Sequence, residues 1–217
     1  MFTGARLEEL ARLRVSDIRT VSGVLVIDIR WREGEPLKTQ AAERLVSVHS
    51  VLSKLGFAKY VERVRRSGTT SLWPSLRRPK PPRKWGQAFT QWFTRTRRAA
   101  GVYRPKLDFH SFRGNFTTTL VNAAVPLERI QALVGHRQQS VTMGVYAKAV
   151  DVRLLKKDIE KLNYAGLDLS DLLRQVTARV HKRPSSTTCH RVPPGAPEPR
   201  QPPVMAKYGL FEPAFPK

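Results

Sequence analysis

His110 and Arg113, three positions apart in His110-Ser-Phe-Arg113, fall on one face of a helix, where side chains at i and i+3 are neighbours. Together they can reach one phosphate. The arginine offers a planar fork of N–H donors, and the histidine ring nitrogens that can hydrogen-bond. Taken alone the pair is weak evidence, because such residues more often cap or solvate a helix. Charge adds a second line of argument. The chain has 39 Lys and Arg against 17 Asp and Glu, or +22 on 217 residues. Six of the basic and two of the acidic residues fall in the last stretch, 181–217, so residues 1–180 keep +18. That excess calls for a polyanion. A membrane surface or an acidic protein would also be drawn to it, but nucleic acid is favoured, since such a field suits the neutralisation of several phosphates with release of counterions.

Other function classes recede on composition. The single cysteine, Cys189, lies in a proline-rich stretch, so neither a disulfide framework nor a CxxC-type zinc site can be built, and a reducing cytoplasm fits. No apolar run approaches the length of a membrane span, and Met1 to Arg6 lacks the basic and apolar regions of a secretory signal. A hydrophobic content of 41% at this length predicts one main domain.

The elements that must position His110 and Arg113 can be read from periodicity. Leu7, Leu10 and Leu13 lie at helical spacing, and Arg14-Val-Ser-Asp-Ile18 breaks that rhythm. Val24-Leu-Val-Ile-Asp-Ile-Arg-Trp31 is β-branched and apolar, and Arg44-Leu-Val-Ser-Val48 alternates. These two runs predict a hairpin with Lys38 in or beside its turn. One amphipathic helix is predicted over Val51–Arg66, closed by Gly68. A basic, proline-rich linker, Arg77–Lys84, follows, then a helix over about Trp85–Ala100. Helical patterns resume over His110–Ala124 and Pro126–Val134, with Gly135 as stop, and again over Asp151–Leu162 and Asp168–Val180. After His181 come nine of the sixteen prolines and almost no apolar period, which reads as a disordered tail. The fold class expected is α+β, mainly helical, with a small β-hairpin sheet. Its parts are a main domain over 1–165, a C-terminal helix over 166–180 and a tail over 181–217.

Read whole, the segment His110-Ser-Phe-Arg-Gly-Asn-Phe-Thr-Thr-Thr-Leu-Val-Asn-Ala-Ala-Val-Pro-Leu-Glu-Arg-Ile-Gln-Ala-Leu-Val-Gly-His136, with Thr142-Met-Gly-Val-Tyr-Ala-Lys148 after it, resembles the signature of the tyrosine recombinases of the phage-integrase type. In that family HxxR opens a helix, a small residue precedes a turn, a second helix ends in LxGH, and a tyrosine follows shortly after. Upstream, Thr3-Gly-Ala-Arg-Leu-Glu-Glu-Leu10 is similar to the family's TG-x-R-x-x-E-L segment, with Arg6 in the place of the first catalytic arginine and Glu9 in that of the acid. Lys38 stands before Arg44-Leu-Val-Ser47 as the family's hairpin lysine stands before R-x-V-P, with Ser47 in place of the proline, a departure read as structural. The resemblance covers about residues 3 to 150, in the family's order.

The resemblance implies a catalytic core of the DNA breaking-rejoining fold and a division of labour among six residues. Tyr146 would attack the scissile phosphorus, storing the bond as a 3′-phosphotyrosine and releasing a 5′-hydroxyl. Arg6 and Arg113 would fork onto the nonbridging oxygens of the pentacoordinate transition state. Lys38 would protonate the leaving 5′-oxygen, and His110 and His136 would handle proton transfer or hydrogen bonding to the phosphate. With charge supplied by Arg6, Arg113 and Lys38 and the bond stored on tyrosine, neither a metal nor any other cofactor is expected. Taken singly, each residue keeps a plainer reading. Arg6 and Arg113 could be solvated helix charges, Lys38 a turn lysine, His136 a helix-end cation, and Tyr146 core packing, as expected of Tyr60, Tyr103 and Tyr164. Six matching residue types in the family's order argue against coincidence.

The partners implied are double-stranded DNA, further copies of the chain in a tetramer on DNA, and accessory DNA-bending proteins. A type IB topoisomerase-like enzyme would share the chemistry, and a noncatalytic DNA-binding remnant would share the charge, although the spacing from Gly135-His136 to Tyr146 is closer to the integrases. Family members carry a helical clamp domain and one or two further helices before the first arginine, whereas this chain begins almost at Arg6. It is therefore read as truncated at its N-terminus, without packing partners near Phe2. The apolar stripe Leu169, Leu172, Leu173 and Val176 must bury somewhere, in cis or, as the resemblance favours, in a neighbouring protomer.

Overall fold

The computed structural model describes residues 1–32, 43–76, 84–135 and 150–181. They divide into two units, one from Met1 to Asp168 and one beginning at Leu169.

The first unit starts with a short helix, α1 (Leu7–Ala11), and a single 3-10 turn (Val15–Asp17) that leads into the sheet. Strands β1 (Ile18–Val21), β2 (Val24–Ile29) and β3 (Arg44–Ser47) lie in the order β1-β2-β3, all antiparallel. The expected pairing of the second and third runs is present, in a register that places Ile27 opposite Val46 and Ile29 opposite Arg44. Strand β1 is an addition to the predicted hairpin. A two-residue turn with positive φ at Ser22 (49°) and Gly23 (77°) joins it to β2, and such turns match the twist of paired strands. Ile18, Ile27, Ile29, Val46 and Val48 belong to the hydrophobic core, as alternation along each strand requires.

Helices cover the rest. The predicted helix over Val51–Arg66 is two, α2 (Ser50–Lys54) and α3 (Phe57–Arg66), because Gly56 takes a left-handed conformation at φ 83° between them. Helix α4 (Gln87–Ala99) begins where the Glu8 carboxylate accepts from the backbone N–H groups of Trp85 and Gly86. Helix α5 (Ser111–Asn122) buries Arg113, Phe116 and Leu120 along one stripe, and α6 (Leu127–Val134) buries Ile130, Leu133 and Val134 against it. Helix α7 (Val152–Ile159) packs Leu155 and Ile159 into the same core. Ser47, fully buried, donates its hydroxyl to the carbonyl of Val152 at 3.4 Å. The arrangement is the α+β class expected, mainly helical over a small sheet.

Two expectations need correction. The core, expected to lack packing partners near Phe2 unless another chain supplies them, has the Phe2 ring packed against it, 4.7 Å from the His49 ring and 5.4 Å from that of Tyr164. Tyr103, read as core packing, is 39% exposed and carries the guanidinium groups of Arg97 and Arg98 over its ring; Tyr60 and Tyr164 do pack on the core.

In the second unit, α8 (Ser170–His181) carries the predicted stripe. Leu172 on it is exposed, and Leu169, Leu173 and Val176 are half-buried. Among the described residues no helix is long and apolar enough to cross a membrane.

Candidate active site

The loop before α1 is shaped by Gly4. Its φ is +58°, and a Cβ built there would lie 2.6 Å from the ring of Phe116. Only glycine gives both the left-handed backbone and the close approach of a buried ring. The Gly4 carbonyl, held over α5 in this way, accepts from Nη1 of Arg113 at 2.5 Å. Next in sequence after Ala5, Arg6 occupies the N-cap position of α1. Glu9, one turn on, reaches back to the Arg6 backbone N–H at 2.7 Å and pairs with its side chain at 2.8 Å.

Glu9 is nearly inaccessible, and a second arginine shares it. Arg44 donates Nη2 to Glu9 Oε2 at 2.7 Å and Nη1 to Oε1 at 3.3 Å, and both side chains are only 4% exposed. Burial alone would raise the Glu9 carboxyl, but the bonds and charge of Arg44, helped by the bonds from Arg6, hold it below the usual carboxylate range.

The end of α6 closes the arrangement. Gly135 terminates the helix in a left-handed conformation, φ 68°, and leaves the last carbonyls without intrahelical partners. Arg44 Nε donates to Leu133 O at 2.7 Å, and Arg113 Nη2 donates to Val134 O at 2.5 Å. Two cations thus sit at the negative end of the helix dipole. Arg113 is itself buried, and that burial, together with the nearby charges of Arg6 and Arg44 and against the pull of Glu9, lowers its pKa to about 10. It stays protonated at neutral pH. Two guanidinium groups, those of Arg6 and Arg44, thus hold one carboxylate, and the charge of a third, Arg113, acts within the same cluster. The cluster carries a surplus of positive charge.

The model of the phage integrase family matches residues 1–153. The chain belongs to that family. No curated protein and no solved structure matches it. Membership in the phage integrase family brings a tyrosine recombinase role and DNA as the partner, and the matched span includes all six residues that the resemblance singles out, Arg6, Lys38, His110, Arg113, His136 and Tyr146.

Of those six residues the structure places Arg6 and Arg113 in one electrostatic cluster. His110 stands exposed at the N-cap of α5, flanked in sequence by Phe109 and Phe112, which belong to an aromatic cluster with Phe89 and Phe93 of α4. Its backbone N–H donates to Asp108 Oδ1 at 2.8 Å, which sets the turn into the helix. The aromatic cluster therefore positions the His110 turn. Lys38, His136 and Tyr146 lie outside the described residues, although His136 follows directly on Gly135, where Arg44 and Arg113 hold the end of α6.

Sequence reading assigned Arg44 no role, yet a signal was present. In Arg44-Leu-Val-Ser-Val48 the core residues are Val46 and Val48, so strand alternation puts residue 44 on the core face. A charged residue in a core phase requires a buried partner.

Proposed function

We propose that this chain is a site-specific DNA recombinase that cleaves and rejoins strands through a 3′-phosphotyrosine. The supporting observation is the pairing of Arg6 and Arg44 with the single carboxylate of Glu9, with the charge of Arg113 nearby, an excess of fixed positive charge that suits a phosphoryl group gaining charge in a pentacoordinate transition state. Arg6 and Arg113 bind its nonbridging oxygens. The phenolic oxygen of Tyr146 forms the new bond to phosphorus as the bond from phosphorus to the 5′-oxygen breaks. The Tyr146 proton passes to a histidine or to water, Lys38 donates a proton to the leaving 5′-oxygen, and His110 and His136 hydrogen-bond the phosphate or move protons. A free tyrosine titrates at about pH 10, so Tyr146 needs a base to take its proton. Rejoining is the reverse of this step, and no high-energy cofactor is consumed.

In this reading residues 1–165 form the catalytic domain of the DNA breaking-rejoining fold, 166–180 a C-terminal helix and 181–217 a tail. The helix docks its apolar stripe into a neighbouring protomer of a tetramer on DNA. Deleting residues 167–217 then leaves DNA binding intact and abolishes higher-order assembly on DNA; unchanged assembly overturns the docking.

The deciding experiment traps protein on a pool of nicked suicide duplexes of randomised sequence, with EDTA present. The expected result is a denaturant-stable protein–DNA adduct. Tight binding without adduct identifies a noncatalytic DNA-binding remnant. Adduct accompanied by relaxation of supercoiled plasmid, with no exchange of strands between duplexes, identifies a topoisomerase-like enzyme.

A further inference from the structure

We propose that Arg44 is a positioning residue for strand cleavage, one that ties the Glu9 carboxylate to the C-terminal end of α6 and so holds Arg6 and the Gly135 end of that helix in one frame. This rests on the recombinase reading above and goes beyond it, because the phosphate does not need Arg44 as a ligand. The guanidinium is spent inward. Nη1 and Nη2 face Glu9, Nε faces the carbonyl of Leu133, and the side chain is 4% exposed.

The geometry makes arginine specific here. A bidentate pair with a carboxylate and a third bond to a carbonyl require a planar fork with several donors in fixed directions. A lysine in the same place carries the charge on one nitrogen and cannot span both partners. The surroundings are cut to the fork as well. A Cβ at Gly135 would lie 2.7 Å from Arg44 Nη1, so glycine at the end of α6 both accepts a φ of 68° and leaves room for the guanidinium. Arg44 in turn sits at the start of β3, opposite Ile29, on a strand fixed by its core residues Val46 and Val48.

The consequence is mechanical. Glu9 fixes Arg6 through both its backbone N–H and its side chain, and Arg113 reaches the same end of α6 through Val134 O. Without Arg44, Glu9 keeps Arg6 but loses its link to α6. Arg6 would then move independently of the end of α6, which Arg113 alone still holds through the carbonyl of Val134. A misplacement of about 1 Å in such a site costs on the order of 100-fold in rate.

The test uses the full chain as wild type, R44K and R44M, each measured for melting, affinity for a random-sequence duplex, adduct formation at saturating duplex on the pool of nicked suicide duplexes, and amide hydrogen exchange. Both variants are expected to fold and to bind duplex as the wild type does, while adduct formation falls on the order of 100-fold. Amides at residues 133–135 should exchange roughly tenfold faster or more, with those of α5 unchanged. Loss of rate at constant affinity is a split that general loosening of the fold does not produce. Wild-type adduct formation in both variants, exchange at 133–135 unaltered, adduct yield falling only in step with affinity, or failure of both variants to fold would each overturn the proposal. If the wild type itself forms no adduct, the recombinase reading falls and the positioning role with it. Adduct in the wild type with variants of equal rate overturns the positioning role alone.

Discussion

Arg113 donates through Nη1 to the carbonyl oxygen of Gly4 at 2.5 Å, across 109 positions of sequence. One arginine is therefore both a phosphate ligand in the proposed reaction and a strut between the first loop and α5. The ring of Phe116, one turn further along α5, lies against the same glycine. Stability and chemistry share these atoms, and substitutions can separate them.

At Gly4, alanine meets two penalties: a φ of +58° and a Cβ 2.6 Å from the Phe116 ring. Left-handed backbone costs about 1–2 kcal/mol and overpacking a core about 1–3 kcal/mol. Gly4→Ala should therefore lose roughly 2–5 kcal/mol by denaturant unfolding, with a proportionate fall in adduct formation. A loss below about 0.5 kcal/mol, the scale of an ordinary surface change, would mean that Phe116 does not confine the loop.

Arg6 and Arg113 should behave differently when truncated. Arg113→Ala strands the buried carbonyls of Gly4 and Val134, at about 1–3 kcal/mol each, so both stability and adduct formation fall. Arg6→Ala removes one side-chain bond from Glu9, which keeps Arg44 and the Arg6 backbone N–H. Folding should then change by about 1 kcal/mol or less, while adduct formation falls on the order of 100-fold or more. Equal losses of stability in the two variants would contradict this division.

Tyr146 and Tyr164 offer a second separation. Tyr164 donates its hydroxyl to the carbonyl of Met1 at 2.9 Å, and burial pushes its pKa up to about 12, which makes it a poor nucleophile. Tyr146→Phe should abolish the adduct with duplex binding intact, and Tyr164→Phe should leave adduct chemistry in place at some cost in stability. Persistent adduct in Tyr146→Phe would overturn the assignment.

His49 predicts a pH dependence. Its Nδ1 accepts from the Val51 backbone N–H at 3.0 Å, capping α2. Burial holds the imidazole below its usual pKa; Glu160 opposes this, and Lys156 and Lys54 add to it. Below pH ~6.5 the unfolded chain binds a proton at this residue that the folded chain refuses. The contribution is therefore complete above that pH and declines as pH falls toward the lowered folded value. Denaturant unfolding at pH 7.5 and at pH 5.5 should show wild type losing more stability than His49→Asn, which keeps a capping acceptor without the titration. Parallel pH profiles would remove His49 from the account.

Duplex affinity should depend steeply on salt, since residues 1–180 carry +18. Contact with roughly six or more phosphates predicts a drop of about a thousandfold between 50 and 200 mM salt. A nearly flat response in a filter-binding or anisotropy titration would count against a backbone-tracking interface.

Sequence alone determined what depends on residue type and short-range period. The charge excess, the stripes of α5 and α6, the stop at Gly135, the pairing of β2 with β3 and the family's residue types were legible because each is written within a few turns of chain. Tertiary structure decided what depends on contacts between distant segments. Arg44 meets Leu133 across 89 positions, Phe2 finds His49 and Tyr164, and Arg113 serves two carbonyls at once. Periodicity carries no term for such meetings. It could show Arg44 in a core phase, but only the folded chain supplies the buried carboxylate and the open helix end that let a guanidinium remain charged where the strand places it.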